Sequence, residues 1–503
     1  MPCFGHHEYE YNPNQDTIFT FVAYSIDIEG ITSDSRHVRR GSLFVAIEGS
    51  RFDGHDFVNE AIDRGAVAVV TSATRSASGH SEVPIILVSN TRATLAQLAS
   101  EFYGHPSQQI KVIGITGTNG KTTVSYLADK ILTRAGFGVG LIGTINYRIA
   151  ERLIPAGNTT PDSIALQSFL SEMVSKNLDY AIVEVSSHAL DQYRVEDIDF
   201  DVGLFTNLTH DHLDYHLTLD RYFQAKAKLF EKLNPTSSAI INIDDVHGRK
   251  LIDIIRNSST QIISYGMDEK ADIRAENLKD DLSGMEFSVL TPVGSIDIET
   301  KLIGRHNLYN ILGAVGIGLS QEVGLPSIRD ALQQLDQVPG RLELVDYRQS
   351  FRVFVDYAHS EDALKWVLQT LRKLTTKRVG IVFGCGGDRD SAKRSRMGEV
   401  ASRFADYIIL TTDNPRSEDP SKIINDIIKG IDSTYKNYKI ILDRFSAIAE
   451  ILSMAEEGDT VLIAGKGHET YQIFSDHVEP FDDREVVRKI LSERLLQIDT
   501  EKE

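Results

Sequence analysis

The feature that most constrains the fold of this chain is the segment 111–130, KVIGITGTNGKTTVSYLADK. An apolar run typical of a buried strand passes through a glycine-containing turn into a stretch with helical periodicity. Strand, turn and helix in this order form a phosphate cradle, because the turn and the helix N-terminus present unpaired backbone N–H groups. Lys121 adds a positive charge, and Thr122 or Thr123 can reach a magnesium ion. The segment predicts an α/β domain that binds ATP or GTP.

One position of this segment departs from the common phosphate-loop pattern. That pattern has a glycine five residues before the glycine of its Gly-Lys pair, whereas Ile115 occupies the position here and Gly114 lies one residue too early. A glycine-rich turn that binds nothing is the alternative interpretation. The Gly-Lys-Thr-Thr ending favours nucleotide binding, and the departure helps to discriminate between families of nucleotide enzymes.

Length and charge describe a globular protein of several domains. With 503 residues, 41% of them apolar, the chain is long enough for about three or four domains. Its 53 Lys and Arg residues against 72 Asp and Glu residues leave a formal charge of −19. This charge disfavours a nucleic acid or an anionic membrane as partner, although a local basic pocket could still hold phosphates.

The cysteines and the N-terminus indicate a cytoplasmic protein. Only Cys3 and Cys385 occur, too few for a disulfide framework and without metal-ligand spacing, so a reducing compartment fits best. The N-terminal segment lacks a cationic, apolar signal sequence, and no run approaches the roughly 18 apolar residues that span a bilayer. We therefore expect no membrane insertion.

Apolar runs and polar punctuation divide the chain into three predicted domains, residues 1–108, 109–338 and 339–503. Short strands alternating with helical patterns predict a small α/β unit first. Around the phosphate loop, the order strand, helix, strand predicts a parallel sheet. The strands predicted in these two domains are 43–47, 66–70, 84–88, 111–116, 138–144, 180–185, 202–205 and 239–243.

The predicted C-terminal domain repeats one design, in which an apolar strand runs into a polar loop. Because ligands of open α/β sheets bind at the carboxyl ends of strands, four such loops predict one shared site. The strands are 352–355, 379–383, 407–410 and 461–464, and the loops contain DYAHSED, GCGGDRD, TTDNPRSED and GKGHE.

Two segments of the central domain are candidates for metal chemistry. Glu184 ends an apolar strand, where a carboxylate could help to hold magnesium; a solvent-exposed strand end is the alternative. Residues 206–216 carry three histidines and two aspartates, the composition of a metal site. Their spacing lacks a zinc signature, however, and a polar loop could hold them without a function.

Arg389 and Arg416 lie in loops that follow predicted strands of the C-terminal domain. The guanidinium fork can bind both oxygens of a carboxylate ligand, and a salt bridge that fastens the loop is the alternative. For His359 and His468 the sequence likewise leaves both a functional and a structural interpretation possible. Residues 222–230 have the composition of an ordinary amphipathic helix, which predicts that their lysines are surface charges.

Taken together, these strings resemble the Mur ligases, in particular those that add the third amino acid of the peptidoglycan stem peptide. The resemblance extends over nearly the whole chain and rests on the order and spacing of many motifs. They are TSDSR, GSLFVAIEG, GTNGKTT, GNTTPD, EVSSHALDQYR, TNLTHDHLDYH, AKAKLF, PGRLE, DYAH, GCGGDRD, DNPR and GKGHE. The phosphate loop of the family also lacks the early glycine.

The resemblance implies an α/β fold of three domains: an N-terminal one for the UDP end of the substrate, a central one with a P-loop ATPase-type parallel sheet, and a C-terminal Rossmann-like one for the amino acid. It implies ATP contacts for Gly117, Thr118, Asn119, Gly120, Lys121, Thr122, Thr123, Asn307, Arg341 and Asp356. It implies contacts to the UDP-linked substrate for Ser33, Ser35, Asn158, Thr159, Thr160, Ser186, Gln192 and Arg194.

The resemblance also implies Mg²⁺ as a cofactor, held by Thr122, Glu184, His212 and Lys226, with Lys121, Glu184, His212 and Lys226 as the catalytic set. Lys226 matches a lysine that these ligases carry as a carbamate. An ammonium beside magnesium would repel it, whereas a carbamate supplies an anionic oxygen ligand.

The identity of the third amino acid is implied by the motif Asp413-Asn414-Pro415-Arg416, which is associated with meso-diaminopimelate rather than L-lysine. Arg416 and Arg389 would meet the distal carboxylate that lysine lacks. Gly465 and Glu469 complete the expected pocket, with Glu469 available to the distal ammonium.

The expected reaction joins meso-diaminopimelate to UDP-N-acetylmuramoyl-L-alanyl-D-glutamate through an acyl phosphate, in a monomeric enzyme. The sequence departs from the family at two places near the nucleotide: Ser360-Glu361 stands where a proline is frequent, and His306 stands where a phenylalanine is frequent. The alternatives are a lysine-adding enzyme, another Mur ligase, folylpolyglutamate synthase, or a P-loop switch or transport ATPase that hydrolyses nucleotide without forming a bond.

Overall fold

The computed structural model describes residues 27–49, 52–72 and 82–502, with side chains up to residue 494. Cys3 and the N-terminal segment considered above lie outside the described residues. The chain divides into two compact units. The first comprises Met1–Thr116, Phe137–Gly203 and Ala225–Ser237, and the second comprises Gly117–Gly136, Leu204–Gln224 and Ser238–Glu503.

The N-terminal part of the first unit is a four-stranded parallel sheet in the order β1-β2-β3-β4. The strands are β1 (Gly30–Thr32), β2 (Ser42–Val45), β3 (Ala66–Thr71) and β4 (Ile85–Leu87). The helices are α1 (Val58–Asp63) and α2 (Thr91–Phe102), with 3-10 turns at Ser35–His37, Gly54–Phe57 and Pro106–Gln108. Both faces of β2 are buried, which explains its continuous apolar sequence.

The rest of the first unit contains strands in the order β5-β9-β6-β7-β8. They are β5 (Lys111–Thr116), β6 (Val139–Ile142), β7 (Asn146–Ile149), β8 (Arg152–Pro155) and β9 (Tyr180–Glu184), with helices α4 (Ser163–Ser175) and α5 (Ser187–Asp191). β5, β9 and β6 are parallel, whereas β6, β7 and β8 form antiparallel pairs. Strand β10 (Val202–Phe205) and helix α7 (Leu219–Glu231) each have residues in both units.

The second unit begins at the end of β5 with helix α3 (Lys121–Arg134). Its predicted apolar stripe, Val124, Leu127, Ala128, Ile131 and Leu132, is completely buried. The unit also contains β11 (Ser238–Asn242), β12 (Gln261–Gly266), β13 (Ile273–Asp281), β14 (Gly284–Thr291) and β15 (Gly294–Thr300). β11 to β13 are parallel neighbours, and β13 to β15 are antiparallel. The helices are α6 (Leu213–His216), α8 (Val246–Ile255), α9 (Arg305–Ser320) and α10 (Leu325–Gln333).

A six-stranded sheet of order β16-β17-β21-β18-β19-β20 forms the C-terminal part of the second unit. The strands are β16 (Glu343–Leu344), β17 (Arg352–Asp356), β18 (Val379–Phe383), β19 (Tyr407–Leu410), β20 (Tyr438–Ile440) and β21 (Thr460–Ala464), followed by the hairpin β22 (Tyr471–Ile473) and β23 (Val478–Pro480). The helices are α11 (Glu361–Leu374), α12 (Ala392–Phe404), α13 (Pro420–Ile428), α14 (Arg444–Met454) and α15 (Asp483–Lys502). All pairs of the large sheet are parallel except β16–β17.

Alternate residues of the central strand β21 enter two different cores. Leu462 and Ala464 belong to one apolar cluster, and Val461 and Ile463 belong to the other. Helices therefore cover both faces of this sheet, and its polar loops collect at the carboxyl ends of the strands. No helix in the described part of the chain is both long and apolar enough to cross a membrane.

Candidate active site

The phosphate loop connects β5 to α3 and is braced by the loop after β10. Thr118 N–H donates to Asn207 O (2.8 Å), and Asn119 N–H donates to Asn207 Oδ1 (3.0 Å). Thr206 Oγ1 donates to Asn119 O (2.7 Å). A methyl group at Gly117, whose φ is +142°, would lie 1.8 Å from Thr206 Oγ1. Only glycine fits here, because the Thr206 hydroxyl lies against the Gly117 backbone and because the backbone angle of Gly117 is one that other residues rarely adopt.

Lys121 and Thr122 stand at the N-terminus of α3, where the helix dipole favours an anion. Lys121 Nζ donates to Gly117 O and Thr118 O, both at 3.0 Å, so the ammonium lies over the turn. Thr122 is buried, and its Oγ1 accepts a hydrogen bond from Arg341 Nη2 (3.1 Å). A phosphate bound in the turn would meet these two cations and the N–H groups of the first helical turn.

Asn307 of α9 lies close to the same turn. Asn310 Nδ2 donates to Asn307 Oδ1 (3.1 Å), and Asn307 Nδ2 donates to Ile303 O (2.9 Å). A methyl group at Gly120, whose φ is +91°, would lie 2.3 Å from Asn310 Oδ1. The structure therefore brings the predicted Asn307 to the phosphate loop through Asn310, which the sequence did not single out.

Asp356 ends β17 and holds the turn that carries Arg341. Its carboxylate accepts hydrogen bonds from Leu342 N–H (2.6 Å) and Ala358 N–H (2.7 Å). Burial raises the pKa of Asp356, against the opposing charge of Arg341 and these two donors. The guanidinium of Arg341 lies 4.7 Å from the centre of the Tyr357 ring, a cation–π contact. Arg341 thus joins Thr122 to the loop after β17.

Glu184 is completely buried at the end of β9 in the first unit. It accepts hydrogen bonds from Thr144 N–H (3.0 Å) and Thr144 Oγ1 (2.9 Å). A methyl group at Gly143 would lie 2.2 Å from Glu184 Oε1. The solvent-exposed alternative is therefore wrong for this carboxylate, whose position is fixed by the 143–144 turn.

The residues predicted to hold the muramoyl-peptide portion of the substrate surround this turn. Thr144 Oγ1 lies 3.1 Å from Thr159 Oγ1, and Thr160 Oγ1 donates to Glu184 O (2.7 Å). The remaining contacts are Ser186 N–H to Thr160 Oγ1 (3.0 Å), Arg194 Nη1 to Thr160 O (2.9 Å), Arg194 Nη2 to Gln192 Oε1 (2.8 Å) and Tyr147 Oη to Asn158 O (2.6 Å). Residues separated by more than thirty positions thus form one polar cluster.

Ser33 and Ser35 belong to the N-terminal sheet region of the first unit. Ser33 is exposed, whereas Ser35 is buried at the start of a 3-10 turn. Between them, Asp34 caps this turn and pairs with Arg36 (2.7 Å), and the hydrogen bonds from Arg36 lower the pKa of Asp34 to about 2. The turn is therefore well ordered by local contacts.

The other predicted metal ligands are Lys226 and His212. Lys226 is buried in the part of α7 that belongs to the first unit, so the surface-charge interpretation is wrong for this lysine. His212 has a left-handed backbone (φ +54°) and caps α6 in the second unit. Within the described residues, no three His, Cys, Asp or Glu side chains are arranged to hold a metal ion. Magnesium is usually bound by one or two carboxylates together with phosphate oxygens and water.

Asp211, beside His212, faces cations of the C-terminal loops. Burial acts in the opposite direction, but the charges of His212, His359 and Lys393 lower the pKa of Asp211 overall. Burial also lowers the pKa of His359, whose Nδ1 lies 2.8 Å from Tyr357 O. From the sequence alone, the role of His359 is open and Lys393 is not distinguished from other lysines. The sequence carried a signal for both, because each belongs to a polar loop or helix start that follows a predicted strand.

The predicted amino-acid loops meet at the carboxyl ends of β18, β19 and β21. Asn414 Nδ2 donates to Glu469 Oε2 (2.8 Å), and a methyl group at Gly465 would lie 2.6 Å from Asp413 Oδ2. Arg416 has a left-handed backbone (φ +52°), and its Nη1 donates to Gly387 O (2.8 Å).

The same loops contain Arg389 and Pro415. Arg389 is exposed, with Nη1 3.3 Å from Asp388 O, and Pro415 O accepts a hydrogen bond from Glu418 N–H (3.0 Å). A methyl group at Gly386 would lie 3.0 Å from Arg416 Nη1 and 3.9 Å from Arg389 Cγ. The structure therefore brings all seven predicted residues of this group together on loops at one edge of the sheet.

Comparison with known proteins identifies the family. Three family models match: the Mur ligase family catalytic domain at residues 27–103, the Mur ligase middle domain at 115–318 and the Mur ligase glutamate ligase domain at 340–467. The UDP-N-acetylmuramoyl-L-alanyl-D-glutamate--2,6-diaminopimelate ligase of Geobacillus thermodenitrificans is 45% identical, over 93% of this chain and 96% of that protein. The chain belongs to the Mur ligase family. The enzyme of the same name from Bacillus cereus is 44% identical, over 93% of this chain and 95% of that protein.

Solved structures agree with this assignment. A structure described as a UDP-N-acetylmuramoyl-L-alanyl-D-glutamate--2,6-diaminopimelate ligase has a TM-score of 0.67 and 33% identity, and the match covers 93% of this chain and 95% of that one. The MurF ligase of Thermotoga maritima, solved with ADP, has a TM-score of 0.62 at 20% identity, covers 93% of this chain and 98% of that one, and shows the fold alone. The predicted three-domain α/β fold is confirmed, although the central sheet is mixed rather than purely parallel. The domain boundaries and the site residues stay predictions.

Proposed function

We propose that this Mur ligase joins meso-diaminopimelate to UDP-N-acetylmuramoyl-L-alanyl-D-glutamate, with ATP as the energy source. The observation that carries the proposal is the cluster of loops at the carboxyl ends of β18, β19 and β21 in the second unit, because it brings Arg416 and Glu469, side chains of opposite charge, to one edge of the sheet. Diaminopimelate ends in a carbon that carries both a carboxylate and an ammonium. The names of the Geobacillus and Bacillus relatives support the same substrates.

The phosphate loop accounts for the use of ATP. A free carboxylate does not react with an amine, because the amine would have to expel an oxide. Transfer of the γ-phosphoryl group to the γ-carboxylate of D-glutamate makes an acyl phosphate, and the amine then displaces phosphate. Lys121, together with the N–H groups of the first turn of α3, would stabilise the negative charge of the transferring phosphate. Arg341, which already reaches Thr122, would add a second cation.

We propose Mg²⁺ as the second cofactor, with Thr122, Glu184, His212 and a carbamate on Lys226 as its protein ligands. Glu184 supplies a buried carboxylate that Thr144 holds in place, and carboxylate oxygens are the ligands that a hard cation prefers. Bound magnesium would neutralise charge on the phosphates during transfer. Lys226 is buried, and a carbamate there would give magnesium an anionic oxygen ligand in place of an ammonium that would repel it. Incubation with ¹³C-labelled carbon dioxide should give a carbamate NMR signal that is absent from Lys226→Arg.

The polar cluster around Thr160 and Arg194 is the proposed binding site for the muramoyl-peptide, and Ser33 and Ser35 are proposed contacts of its UDP end. We further propose a cytoplasmic monomer. Size-exclusion chromatography with light scattering tests the oligomeric state, and a mass close to 56.0 kDa is expected.

A competition assay tests the proposed function directly. The protein is incubated with ATP, Mg²⁺ and the UDP-dipeptide, with meso-diaminopimelate and L-lysine together, and the products are separated by mass. We expect the diaminopimelate tripeptide and stoichiometric ADP. A lysine tripeptide as the main product would overturn the specificity proposed for Arg416. Phosphate release that is indifferent to both substrates would instead identify an ATPase switch.

A further inference from the structure

A buried lysine lies beside the amino-acid pocket and has no role in the function proposed above. Lys466, between Gly465 and Gly467, is completely buried. Its Nζ donates to Asn414 Oδ1 and to Glu469 Oε2, both at 3.1 Å. A lysine that loses all its hydration is unfavourable unless anionic or carbonyl oxygens replace the water. These two contacts supply them.

The contacts of Lys466 fix the orientation of the Asn414 amide. Asn414 Oδ1 also accepts a hydrogen bond from Ile473 N–H of β22 (3.0 Å), so this oxygen faces two donors. A flipped amide would place its NH₂ group against both of them, which is unfavourable. The amide nitrogen must therefore point the other way, where it donates to Glu469 Oε2 (2.8 Å).

Both fixed donors reach the same oxygen of Glu469. Oε2 accepts from Lys466 and Asn414, whereas Oε1 has no hydrogen-bond partner among the described residues. The Glu469 side chain is 17% exposed, so the carboxylate is not sealed from ligands. One oxygen is thus held by the protein and the other is available to an incoming cation.

The charges explain why this arrangement matters for selectivity. Lys466 already balances Glu469, so the pair attracts a further ammonium only weakly, while Arg416 on the facing loop contributes a positive charge. A zwitterionic distal end can offer its ammonium to Glu469 and its carboxylate to Arg416 at once. The distal end of L-lysine has only an ammonium, which Glu469, already paired with Lys466, attracts weakly and which Arg416 repels.

We propose that Lys466 is a positioning residue that holds Glu469 and, by neutralising it in advance, makes the pocket select a zwitterionic distal end. This inference rests on the proposed function, since it takes diaminopimelate as the amino acid. Lys466 acts through Glu469 and is not itself expected to touch the amino acid.

The test compares the selectivity ratio, kcat/KM for meso-diaminopimelate over kcat/KM for L-lysine, in the wild type and in Lys466→Met and Lys466→Arg. We expect the methionine variant to lower the ratio by about tenfold or more, because a buried charge pair is broken. KM for ATP should stay within about twofold. The arginine variant keeps the charge and should retain most of the ratio. An unchanged ratio in Lys466→Met, or an equal loss in both variants, would overturn the proposal.

A double-mutant cycle separates an action through Glu469 from general loosening of the fold. If Lys466 acts through Glu469, the double variant Lys466→Met/Glu469→Gln should be no worse for diaminopimelate than Glu469→Gln alone. Strictly additive losses would contradict this route.

Arg378→Met is the matched control, because Arg378 pairs with the buried Asp459 (2.7 Å) at the opposite end of the same sheet. It should lower the Tm and leave the ratio unchanged. If Lys466→Met fails to fold, Lys466→Arg and Glu469→Gln are compared instead. Lys466→Arg should then preserve the selectivity ratio and Glu469→Gln should lower it, and loss of the ratio in Lys466→Arg would overturn the proposal. Failure of the wild type to ligate diaminopimelate would refute the proposed function itself, a result distinct from all of these.

Discussion

Replacement of His306 by phenylalanine should remove a measurable part of the acid sensitivity of the fold. His306 lies in the first turn of α9, and its Nδ1 is buried without a hydrogen-bond partner. A methyl group at Gly304 would touch His306 Cε1 (2.9 Å) and Thr370 Cγ2 (2.6 Å), so the ring lies in a crowded place between α9 and α11. Burial lowers the pKa of His306 to about 4. The N-terminus of a helix is also an unfavourable place for a cation.

The direction of the pH effect follows from these pKa values. The folded pKa is about 4 and the ordinary value is 6.5, so the unfolded chain binds the proton first as the pH falls. The free energy of unfolding therefore decreases from about pH 6.5 down to about pH 4. Between about pH 7.5 and about pH 5 the loss amounts to about 2 kcal/mol, an upper value because the ring is partly exposed to water. Phenylalanine cannot bind the proton and should not show this loss.

Urea unfolding at several pH values checks this expectation. Trp366, the only tryptophan of the chain, lies in α11 together with Thr370 and reports on this region by fluorescence. Because the chain has several domains, the comparison uses the transition that this probe sees. We expect the stability difference between His306→Phe and the wild type to grow by about 1–2 kcal/mol on acidification. His37→Gln, at an exposed histidine, is the control. Parallel pH profiles for the wild type and His306→Phe would refute the reasoning.

Three further substitutions test other parts of the structure. Gly117→Ala places a methyl group 1.8 Å from Thr206 Oγ1 and should weaken ATP binding by about a hundredfold in calorimetry; unchanged affinity would contradict the geometry of the turn. Arg444→Met leaves the fully buried Asp483 without its partner and should cost about 3–5 kcal/mol in calorimetric unfolding, most of which Arg444→Met/Asp483→Leu should recover. Arg416→Lys removes the bidentate guanidinium donor and should lower the selectivity for diaminopimelate over lysine by about tenfold or more in the competition assay. An unaltered product ratio would exclude Arg416 as the residue that binds the distal carboxylate.

The parallel strands that are buried on both faces were predictable from the sequence, whereas the partly exposed parallel strands β1, β12 and β20 and the antiparallel hairpins were not. Strands buried on both faces have continuous apolar runs, which is why β10, β18 and β19 have the predicted bounds. Strands β7, β8 and β13 to β15 are partly exposed, with mixed polar sequences that periodicity does not separate from loops. They were missed for this physical reason.

The candidate site was predictable as a set of motifs but not as a set of contacts. Glycine and lysine in a strand–turn–helix order identify the phosphate loop, because few other sequences can form it. Asn310 and Lys466 were missed, since one looks like an ordinary helix residue and the other like a surface charge in a loop. Only the fold shows that Asn310 lies against Gly120 and that Lys466 is buried against Glu469.

Two buried arginines show how the amino-acid loops keep their shape. Arg394 of α12 donates to both oxygens of Glu418 (2.8 and 2.9 Å) and lies 3.3 Å from Gly386 O. Since Glu418 also accepts a hydrogen bond from Asp388 N–H (2.6 Å), Arg394 joins the loops that carry Arg389 and Arg416. Salt bridges therefore do fasten these loops, as considered for Arg389 and Arg416, but the arginine that forms them is Arg394.

Arg444 has the same function on the other side of the pocket. Besides its pair with Asp483, its Nη2 donates to Ala464 O (3.0 Å), and its Nη1 lies 3.4 Å from Thr412 O. Ala464 is the last residue of β21, and Thr412 lies between the end of β19 and Asp413. One buried guanidinium therefore holds the chain at the ends of both strands. A buried ion pair adds little net stability compared with apolar packing, so its value here is the fixed position of the loops. Because these loops are already ordered, less conformational entropy is lost when the amino acid binds, and its binding is stronger.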